Sequence, residues 1–293
     1  MIDNPLSSSI QILIFLFLFT FLLSVALEKP KQEILTLMKS SLMGRSLFAN
    51  FILLPMLGLI FIWLFRLPPE ISVGFLMVAL APGGMLGLHF ARLAKGNLAY
   101  AVGLIFLLSL LSIVITPTLI YLIFPSIATA DGIIVSLLGR LLFFIIPPLL
   151  AGLVIQHWLA MIATKLQKLS SFLSIVLYIT LTVLTSSLKV LDTQALGWNG
   201  LAAIAVFIGM AWFVGWQLGG PELANRKVLA ISTSMRNVPI CLLIATSSGV
   251  SQNTESMMLG FSALLTPMNL IFAIAMNRIK PKSLNEVKQA DAD

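Results

Sequence analysis

Long apolar runs make up most of the chain, and polar residues are concentrated in the short intervals between these runs. A helix needs about 20 apolar residues to cross the hydrocarbon core of a bilayer. Nine runs qualify, at 10–27, 46–65, 71–92, 98–124, 133–157, 170–190, 198–218, 228–248 and 257–277. The pattern therefore predicts an all-α integral membrane protein with about nine transmembrane helices, in a single membrane domain over residues 1–293.

Composition favours a membrane protein over a soluble one. Hydrophobic residues make up 59% of the 293 residues, charged residues make up 10%, and the mean hydropathy is +1.04. A soluble domain of this length needs more polar residues, because it cannot bury so many apolar side chains inside itself. We therefore expect lipid to surround most of the chain.

The Lys and Arg residues between the runs are distributed asymmetrically. One side of the predicted membrane has Lys29, Lys31, Lys39, Arg45, Arg92, Lys95, Lys165, Lys168, Arg226, Lys227, Arg278, Lys280, Lys282 and Lys288. The other side has Arg66 and Lys189. Because cytoplasmic loops carry the excess of basic residues, the N-terminus is expected outside a plasma (inner) membrane. The C-terminus is expected in the cytoplasm, with residues 280–293 as a polar tail.

The sequence offers little for metal, redox or catalytic chemistry. Cys241 is the single cysteine and the chain has two histidines, so neither an intrachain disulfide nor an ordinary zinc site is expected. No paired carboxylates or serine nucleophile turn is recognisable. The chain is therefore expected to be no enzyme and to use no cofactor. Since the positive-inside pattern accounts for the net charge of +7, no nucleic-acid partner is expected either.

Two of the predicted spans are irregular, because proline occurs in them together with paired glycines or with a run of polar residues. The third includes Ala81-Pro82-Gly83-Gly84, and the eighth includes Ser232-Thr233-Ser234-Met235-Arg236-Asn237-Val238-Pro239. Such residues free backbone groups that lipid cannot satisfy, so the breaks persist only where they line a cavity or pack within protein. Each broken span is followed by a Thr-Pro pair, beginning at Thr116 and at Thr266, 150 residues apart.

The order of these features predicts two inverted-topology repeats. Span three runs inward and span eight outward, because an odd number of crossings separates them. Repeat one covers residues 10–124 with four helices, and repeat two covers 133–277 with five. Broken helices in such repeats meet near the midplane of the membrane and form a transporter's binding site. The alternative is a coincidence between two helices that both contain proline.

At these residues the sequence resembles the bile acid:sodium symporter family. The matching segments are Asn50 with Pro55, Pro82-Gly83-Gly84, Leu93-Ala94-Lys95-Gly96-Asn97, Thr116-Pro117, and Lys227 followed by Met235-Arg236-Asn237. The resemblance implies ten helices in two inverted repeats of five, with the substrate between a core and a panel. Nine are predicted here, so the resemblance implies that the first helix of repeat one would be missing. Spans one, five and six would form the panel, and the others the core.

The resemblance also implies sodium as a partner, but the matching positions argue against a sodium site of the family's kind. The positions that correspond to ligands of the two sites are Gly87, Leu88, Ala101, Ile105, Ser232, Asn50 and Arg236. None of them offers a carboxylate, although hard cations need several oxygen ligands. No metal site is therefore expected. The alternative is an oxygen cage that backbone carbonyls form with Asn50 and Asn237.

Arg236 indicates the charge of the solute. It lies nine residues beyond Lys227, or about 14 Å along a helix, near the middle of a core about 30 Å thick. An arginine at that depth costs about 2.5–3.5 kcal/mol on insertion scales. We expect Arg236 to replace the bound cation and to receive an anionic group of the solute. The alternative is that it only binds carbonyls that the break frees.

These features predict a secondary transporter that moves a small anionic organic solute by alternating access. A channel, which would carry a steady ion current, and a non-transporting membrane receptor are the alternatives. The residues expected to contact the solute are Arg236, Asn237, Ser232, Thr233, Asn50, Pro82, Gly83, Gly84, Thr116, Thr266 and Asn269.

Overall fold

The structure is a computed structural model that describes residues 5–27, 40–84, 86–124, 133–187, 193–248 and 250–279. The helices are α1 (Pro5–Ala26), α2 (Ser41–Phe48), α3 (Leu54–Leu64), α4 (Pro69–Ala79), α5 (Gly87–Leu93), α6 (Leu98–Ile123), α7 (Ile133–Trp158), α8 (Ala160–Ser187), α9 (Thr193–Leu218), α10 (Leu223–Ser234), α11 (Val238–Ser248) and α12 (Gln252–Arg278). The all-helical class predicted from the sequence is confirmed. The predicted tail at 280–293 lies outside the described residues.

Polar side chains define the starts of several helices. Ser40 precedes α2, and its side chain accepts a hydrogen bond from the N–H of Met43. Asn97 precedes α6 and accepts from the N–H of Tyr100 in the same way. These caps satisfy N–H groups that the first turn of a helix leaves unpaired. Asn97 ends the third of the matching segments, so its polar side chain has a structural role.

The second predicted span contains a π-helical turn. Helix α2 leads into this turn at Ala49–Leu53, and α3 follows directly. Pro55 has no N–H, so the carbonyl of Phe51 loses its usual helical donor, and a wider turn accommodates that loss. The buried Asn50 lies within the turn. The local backbone therefore sets the direction of one of the predicted solute contacts.

Both spans that were predicted to be irregular are broken in the structure. Helix α4 ends at Ala79 and α5 begins at Gly87, while α10 ends at Ser234 and α11 begins at Val238. All four of these helix ends are buried. Each broken span is thus a pair of short helices whose facing ends lie inside the protein.

The number of membrane crossings stays a prediction, because the lengths of the helices do not determine it. Among the described residues, the stretches long and apolar enough to cross are Ser41–Leu64, Met161–Leu184, Leu196–Leu218 and Gln252–Arg278. A fifth would be Leu98–Ser112 with Val114–Ile120, which are bent by 43°. Ile12–Ala26 and Pro69–Ala79 are apolar but shorter. Length alone does not show whether short or broken helices cross.

The start of α8 differs from the sequence prediction. The sixth span was expected to begin at residue 170, but α8 begins at Ala160. The additional turns contain Lys165, Gln167 and Lys168, which are the polar residues directly before the apolar run at 170–190. Lys and Gln are good helix formers, so the helix extends beyond the apolar segment.

The helices pack in two groups. Helix α1 packs mainly on α7 and α8, whereas α4, α9, α10 and α12 pack mainly on one another. Where α3 packs against this second group, the rings of Phe61, Phe75, Phe207 and Phe261 make successive contacts, with centroids 5.1 to 6.1 Å apart. Helices α1, α7 and α8 correspond to the spans that the resemblance assigns to the panel. We call these three helices the panel and the other helices the core.

Candidate functional site

The two breaks lie directly against each other. Pro82 and Arg236 form an isolated antiparallel bridge. The N–H of Asn237 donates to the carbonyl of Ala81 at 2.8 Å, and the N–H of Gly84 donates to the carbonyl of Met235 at 3.2 Å. Backbone groups that leave one helix therefore find partners in the other break, as the absence of water in a bilayer core requires. We call this contact the crossing.

Two glycines allow the crossing to form. Gly83 has φ = 93°, a left-handed conformation that favours glycine. A Cβ on Gly84 would lie 2.7 Å from the carbonyl carbon of Met235 and 2.8 Å from the nitrogen of Arg236. These are backbone atoms, which cannot rotate away as a side chain can. The Pro-Gly-Gly segment thus contributes conformation and close approach to the site.

Arg236 places its guanidinium between the carboxyl ends of two helices. Its Nη2 donates to the carbonyl of Thr233 at 2.8 Å, in the last turn of α10. Its Nη1 donates to the carbonyl of Ala79 at 3.3 Å, the last residue of α4. The guanidinium carbon also lies 5.7 Å from the centre of the Phe207 ring. Helix carboxyl ends carry partial negative charge, so a cation is stabilised at this point.

The same arginine keeps one donor free within the described residues. Arg236 is 2% exposed, and its Nε has no hydrogen-bond partner there. The neighbouring Asn237 also has an Nδ2 without a partner, while its Oδ1 accepts from the N–H of Ile240 at 3.4 Å. Buried donors are nearly always paired in native proteins. Both are N–H groups, which bind the oxygen atoms of an anion.

Several buried oxygen atoms of the core also lack partners within the described residues. The Oδ1 of Asn50 and the hydroxyls of Ser109 and Ser232 are buried and have no hydrogen-bond partner among the described residues. The amide of Asn50 is oriented by its Nδ2, which donates to the carbonyl of Ser46 at 2.9 Å. Sequence reasoning missed Ser109, although its hydroxyl in a largely apolar span was a signal.

Three of the predicted solute contacts have roles in holding the protein together. The hydroxyl of Thr116 donates to the carbonyl of Leu80 at 2.8 Å, beside the first break. The hydroxyl of Thr233 lies 2.7 Å from the carbonyl of Ala211 on α9 and 2.7 Å from that of Leu229 in its own helix. Both threonines therefore bind carbonyls of the core.

Asn269 is the third of these contacts. Its Oδ1 accepts from the hydroxyl of Ser234 at 2.6 Å and from Nε1 of Trp212 at 3.0 Å. Its Nδ2 donates to the carbonyl of Leu265 at 2.9 Å. The side chain thus joins α9, α10 and α12 beside the second break.

Four of the positions that correspond to sodium ligands are packed against hydrocarbon. Gly87 and Leu88 begin α5, and Ala101 and Ile105 lie buried on α6. A Cβ on Gly87 would lie 3.4 Å from Cδ1 of Ile105. Over the described residues, no group of three or more His, Cys, Asp or Glu side chains could hold a metal ion.

Thr266 lies at the contact between core and panel. Its Oγ1 is 3.0 Å from the hydroxyl of Tyr178 on α8, which is also 3.3 Å from the Oγ of Ser262. Sequence reasoning did not single out Tyr178 or Ser262. A tyrosine in the middle of a span, away from the interfaces where tyrosines concentrate, was the available signal.

Comparison with known proteins identifies the family. Residues 11–193 match the Sodium Bile acid symporter family. The chain is 27% identical over 207 residues to an uncharacterized sodium-dependent transporter, YocS, of Bacillus subtilis, covering 68% of this chain and 62% of that protein. It is 25% identical over 205 residues to a probable sodium/metabolite cotransporter, BASS3, of Arabidopsis thaliana, covering 67% of this chain and 47% of that one.

Another relative from Arabidopsis thaliana is also matched over only part of its length. The probable sodium/metabolite cotransporter BASS1 of Arabidopsis thaliana is 24% identical over 221 residues, which cover 70% of this chain and 52% of that protein. The chain thus spans between about half and three fifths of the length of these relatives. The match over residues 11–193 covers more than half of the chain and confirms the resemblance that the motifs indicated. The chain belongs to the Sodium Bile acid symporter family.

Proposed function

We propose that this protein is a secondary transporter that moves a small organic anion across the membrane by alternating access. Membership of the family supports transport, and the three relatives are named as sodium-dependent transporters or cotransporters. The proposed topology has nine crossings in two inverted repeats, 10–124 and 133–277. The N-terminus lies outside a plasma membrane, and the C-terminus lies in the cytoplasm.

The environment of Arg236 is the observation that carries this proposal. In transporters with broken helices, freed carbonyls and the carboxyl ends of half-helices coordinate the coupling cation. Here the guanidinium of Arg236 occupies such a place, bound to the carbonyls of Ala79 and Thr233. Unlike a bound ion, the side chain of an arginine cannot leave the site. Its positive charge also repels a second cation nearby. The charge that a sodium ion would supply is therefore part of the protein.

The free donors beside this charge support an anionic solute. Arg236 Nε and Asn237 Nδ2 are buried without partners in the described structure, and both are N–H groups. A carboxylate accepts hydrogen bonds through two oxygens, and charge-assisted bonds are about twice as strong as neutral ones. An anion that enters the crossing would satisfy both donors. Its negative charge would also balance the fixed positive charge.

The two helix groups supply the parts that alternating access needs. The panel and the core pack mainly within themselves. Rocking of one bundle against another around a fixed site is the usual motion in this class of transporter. The solute would bind at the face of the core where the breaks meet and would be covered by the panel.

A sodium-coupled symporter is the second candidate function. The Oδ1 of Asn50 and the Oγ of Ser232 are buried oxygens without partners in the described region. The alternative cage would join backbone carbonyls of the breaks with Asn50 and Asn237, and the Oγ of Ser232 would add a further oxygen ligand. The names of the relatives favour this candidate as well.

Uptake into proteoliposomes separates the two candidates. A set of radiolabelled short monocarboxylates and dicarboxylates is supplied with an imposed sodium gradient or with choline in place of sodium. The proposal predicts saturable uptake of at least one anion, with rates that agree within about twofold in the two media. A steep, saturable dependence on sodium would contradict the fixed-cation account and support the symporter. A steady current without saturable uptake would indicate a channel.

A further inference from the structure

Two arginines from different helices lie against one glycine. Gly220 lies in the turn between α9 and α10, and its carbonyl accepts a hydrogen bond from Nε of Arg226 at 2.6 Å. A Cβ built on Gly220 would lie 3.8 Å from Nη2 of Arg45, on α2. Because both side chains lie against one residue, these two nitrogens are less than about 10 Å apart. We call Arg45 and Arg226 the arginine pair.

Two of the three acidic residues that the structure describes lie at the opposite end of the core. The three are Glu70, Glu222 and Glu255. Glu255 lies in the first turn of α12, and the carbonyl of Glu70 accepts from the hydroxyl of Thr254 beside it. Lys227, next to Arg226, instead donates to the carbonyl of Ile279, just past the other end of α12. Since α12 has 27 residues and is about 40 Å long, Glu70 and Glu255 are too distant to neutralise the arginine pair.

The third acid does not neutralise the arginine pair either. The Oε2 of Glu222 accepts from Nδ2 of Asn225 at 2.9 Å, and within the described residues Glu222 forms no ion pair with either arginine. Each arginine uses its Nε on a backbone carbonyl, that of Ser41 for Arg45 and that of Gly220 for Arg226. The terminal nitrogens are therefore available to a further partner. Two guanidinium groups this close repel each other, and an anion between them offsets the repulsion. Phosphate oxygens match the forked geometry of a guanidinium.

An exposed apolar face begins beside Arg45. Phe48, Ile52 and Met56 follow it at spacings of three and four residues, and all three are exposed. Residues at these spacings lie on one side of a helix. They belong to Ser41–Leu64, a stretch that is long and apolar enough to cross a membrane. An anion with acyl chains can therefore place its charge at the arginine pair and its chains along this face.

We propose that the arginine pair binds the phosphate of an anionic phospholipid, whose acyl chains pack on Phe48, Ile52 and Met56. A soluble phosphate would satisfy the guanidinium groups but would leave the apolar face unused. Basic pockets between transmembrane helices bind lipid headgroups in this way. Since Arg45 belongs to α2 and Arg226 to α10, a bound headgroup joins two core helices and stabilises the folded protein. The proposal does not depend on which solute the protein carries.

Lipid titrations of the purified full-length protein test the proposal. Dioleoyl phosphatidylglycerol or dioleoyl phosphatidylcholine, which have the same chains, is added in a neutral detergent. Native mass spectrometry counts the bound lipid, and the midpoint of thermal unfolding is measured in parallel. We expect the parent to bind phosphatidylglycerol at least about tenfold more tightly, because charge-assisted hydrogen bonds are strong. Arg45→Gln and Arg226→Gln should each reduce this preference to about threefold or less, and glycerol 3-phosphate should not bind at these concentrations.

Arg278→Gln is the matched control. Arg278 is an exposed arginine in the last turn of α12, at the same end of the core, and its replacement removes the same charge. This variant should keep the preference. Equal binding of the two lipids by the parent, or an equal loss in Arg278→Gln, would overturn the proposal. Binding of glycerol 3-phosphate as tight as that of phosphatidylglycerol would also overturn it, in favour of a soluble phosphate. If Arg226→Gln fails to fold, because Arg226 also binds the carbonyl of Gly220, Arg45→Gln decides the result.

Discussion

Arg236 is a buried charge with specific hydrogen-bond partners. The sequence indicated the buried charge but not the identity of the partners. Its position near the middle of a broken span predicted a charge at membrane depth, and the structure places it at the crossing, 2% exposed. Its partners could not be predicted, because the carbonyl of Ala79 belongs to a segment 157 residues away in the chain. The alternative interpretation of the sequence was that Arg236 binds carbonyls freed by the break. Its hydrogen bonds to the carbonyls of Ala79 and Thr233 agree with that interpretation. Reception of the anion stays a prediction.

Other residues named from the sequence divide by how their polar atoms are used. Asn50, Ser232 and Asn237 keep a buried polar atom without a partner in the described structure. Thr116 and Asn269 use theirs on other parts of the core. The sequence identified polar residues at the breaks, but not which of them hold the core together. That distinction depends on contacts between segments far apart in the chain.

Thr116→Val tests the structural role of its hydroxyl. The substitution keeps the shape of the side chain but leaves the buried carbonyl of Leu80 without its partner. Because an unsatisfied buried group costs about 1–3 kcal/mol, we expect the free energy of unfolding to fall by that amount. Denaturant titration of the purified protein in detergent measures it.

Thr118→Val is the matched control for this change. The hydroxyl of Thr118 donates to the carbonyl of Val114 within its own helix, at an exposed position. A change within about 0.5 kcal/mol is expected there. If both variants lose the same stability, the bond from Thr116 to the first break has no particular importance.

At the scale of elements, local chemistry predicted the breaks but not all the helix ends. Proline and paired glycines favour a break without ensuring one, since Pro117 and Pro267 lie inside α6 and α12. Both breaks were predicted because proline occurs there together with glycines or polar residues. The start of α8 at Ala160 was not, since a change from apolar to polar residues ends an apolar run without ending a helix. The π-helical turn at Ala49–Leu53 was also missed, although Pro55 was a signal for it.

Gly84→Ala tests whether the two broken helices need their close contact. The added Cβ would lie 2.7 Å from the carbonyl carbon of Met235, so the breaks must separate. We expect a loss of solute uptake of at least tenfold, because the separation displaces Arg236 and Asn237. Uptake into proteoliposomes, corrected for the amount of folded protein, gives the result.

Gly209→Ala provides the comparison on α9. A Cβ at Gly209 meets no atom within 4 Å. Alanine favours a helix over glycine by about 0.5–1 kcal/mol, so this variant should be as stable as the parent or more stable, with unchanged uptake. Normal uptake by Gly84→Ala would show that the crossing tolerates separation.

For the whole molecule, the sequence predicted the all-helical class, and the family resemblance identified the panel helices before any packing was known. Helices α1, α7 and α8 do pack together as one group. The membrane crossings are harder to predict from the sequence, because α4 and α5, like α10 and α11, are each too short to span the membrane alone. Their positions relative to lipid depend on the pairing at the crossing, which hydropathy does not report.

The predicted topology can be measured independently of the site. With fourteen Lys and Arg residues on one predicted side and two on the other, nine crossings put the termini on opposite sides. Reporter fusions at Asp3 and at Lys288 should therefore report an external and a cytoplasmic location. Two reporters on the same side would require an even number of crossings and would contradict the inverted repeats as proposed.

The most direct test of the central claim is transport and anion binding by Arg236→Gln, compared with the parent and with Arg236→Lys. Glutamine keeps donors for the carbonyls of Ala79 and Thr233 but removes the charge, whereas lysine keeps the charge. If Arg236 is the resident cation, the glutamine variant folds with a thermal midpoint within a few degrees of the parent. It then loses binding and uptake of the anion in choline medium, and the lysine variant retains part of both. Normal uptake by the glutamine variant would contradict the claim, and failure of that variant to fold would assign Arg236 to holding the breaks together.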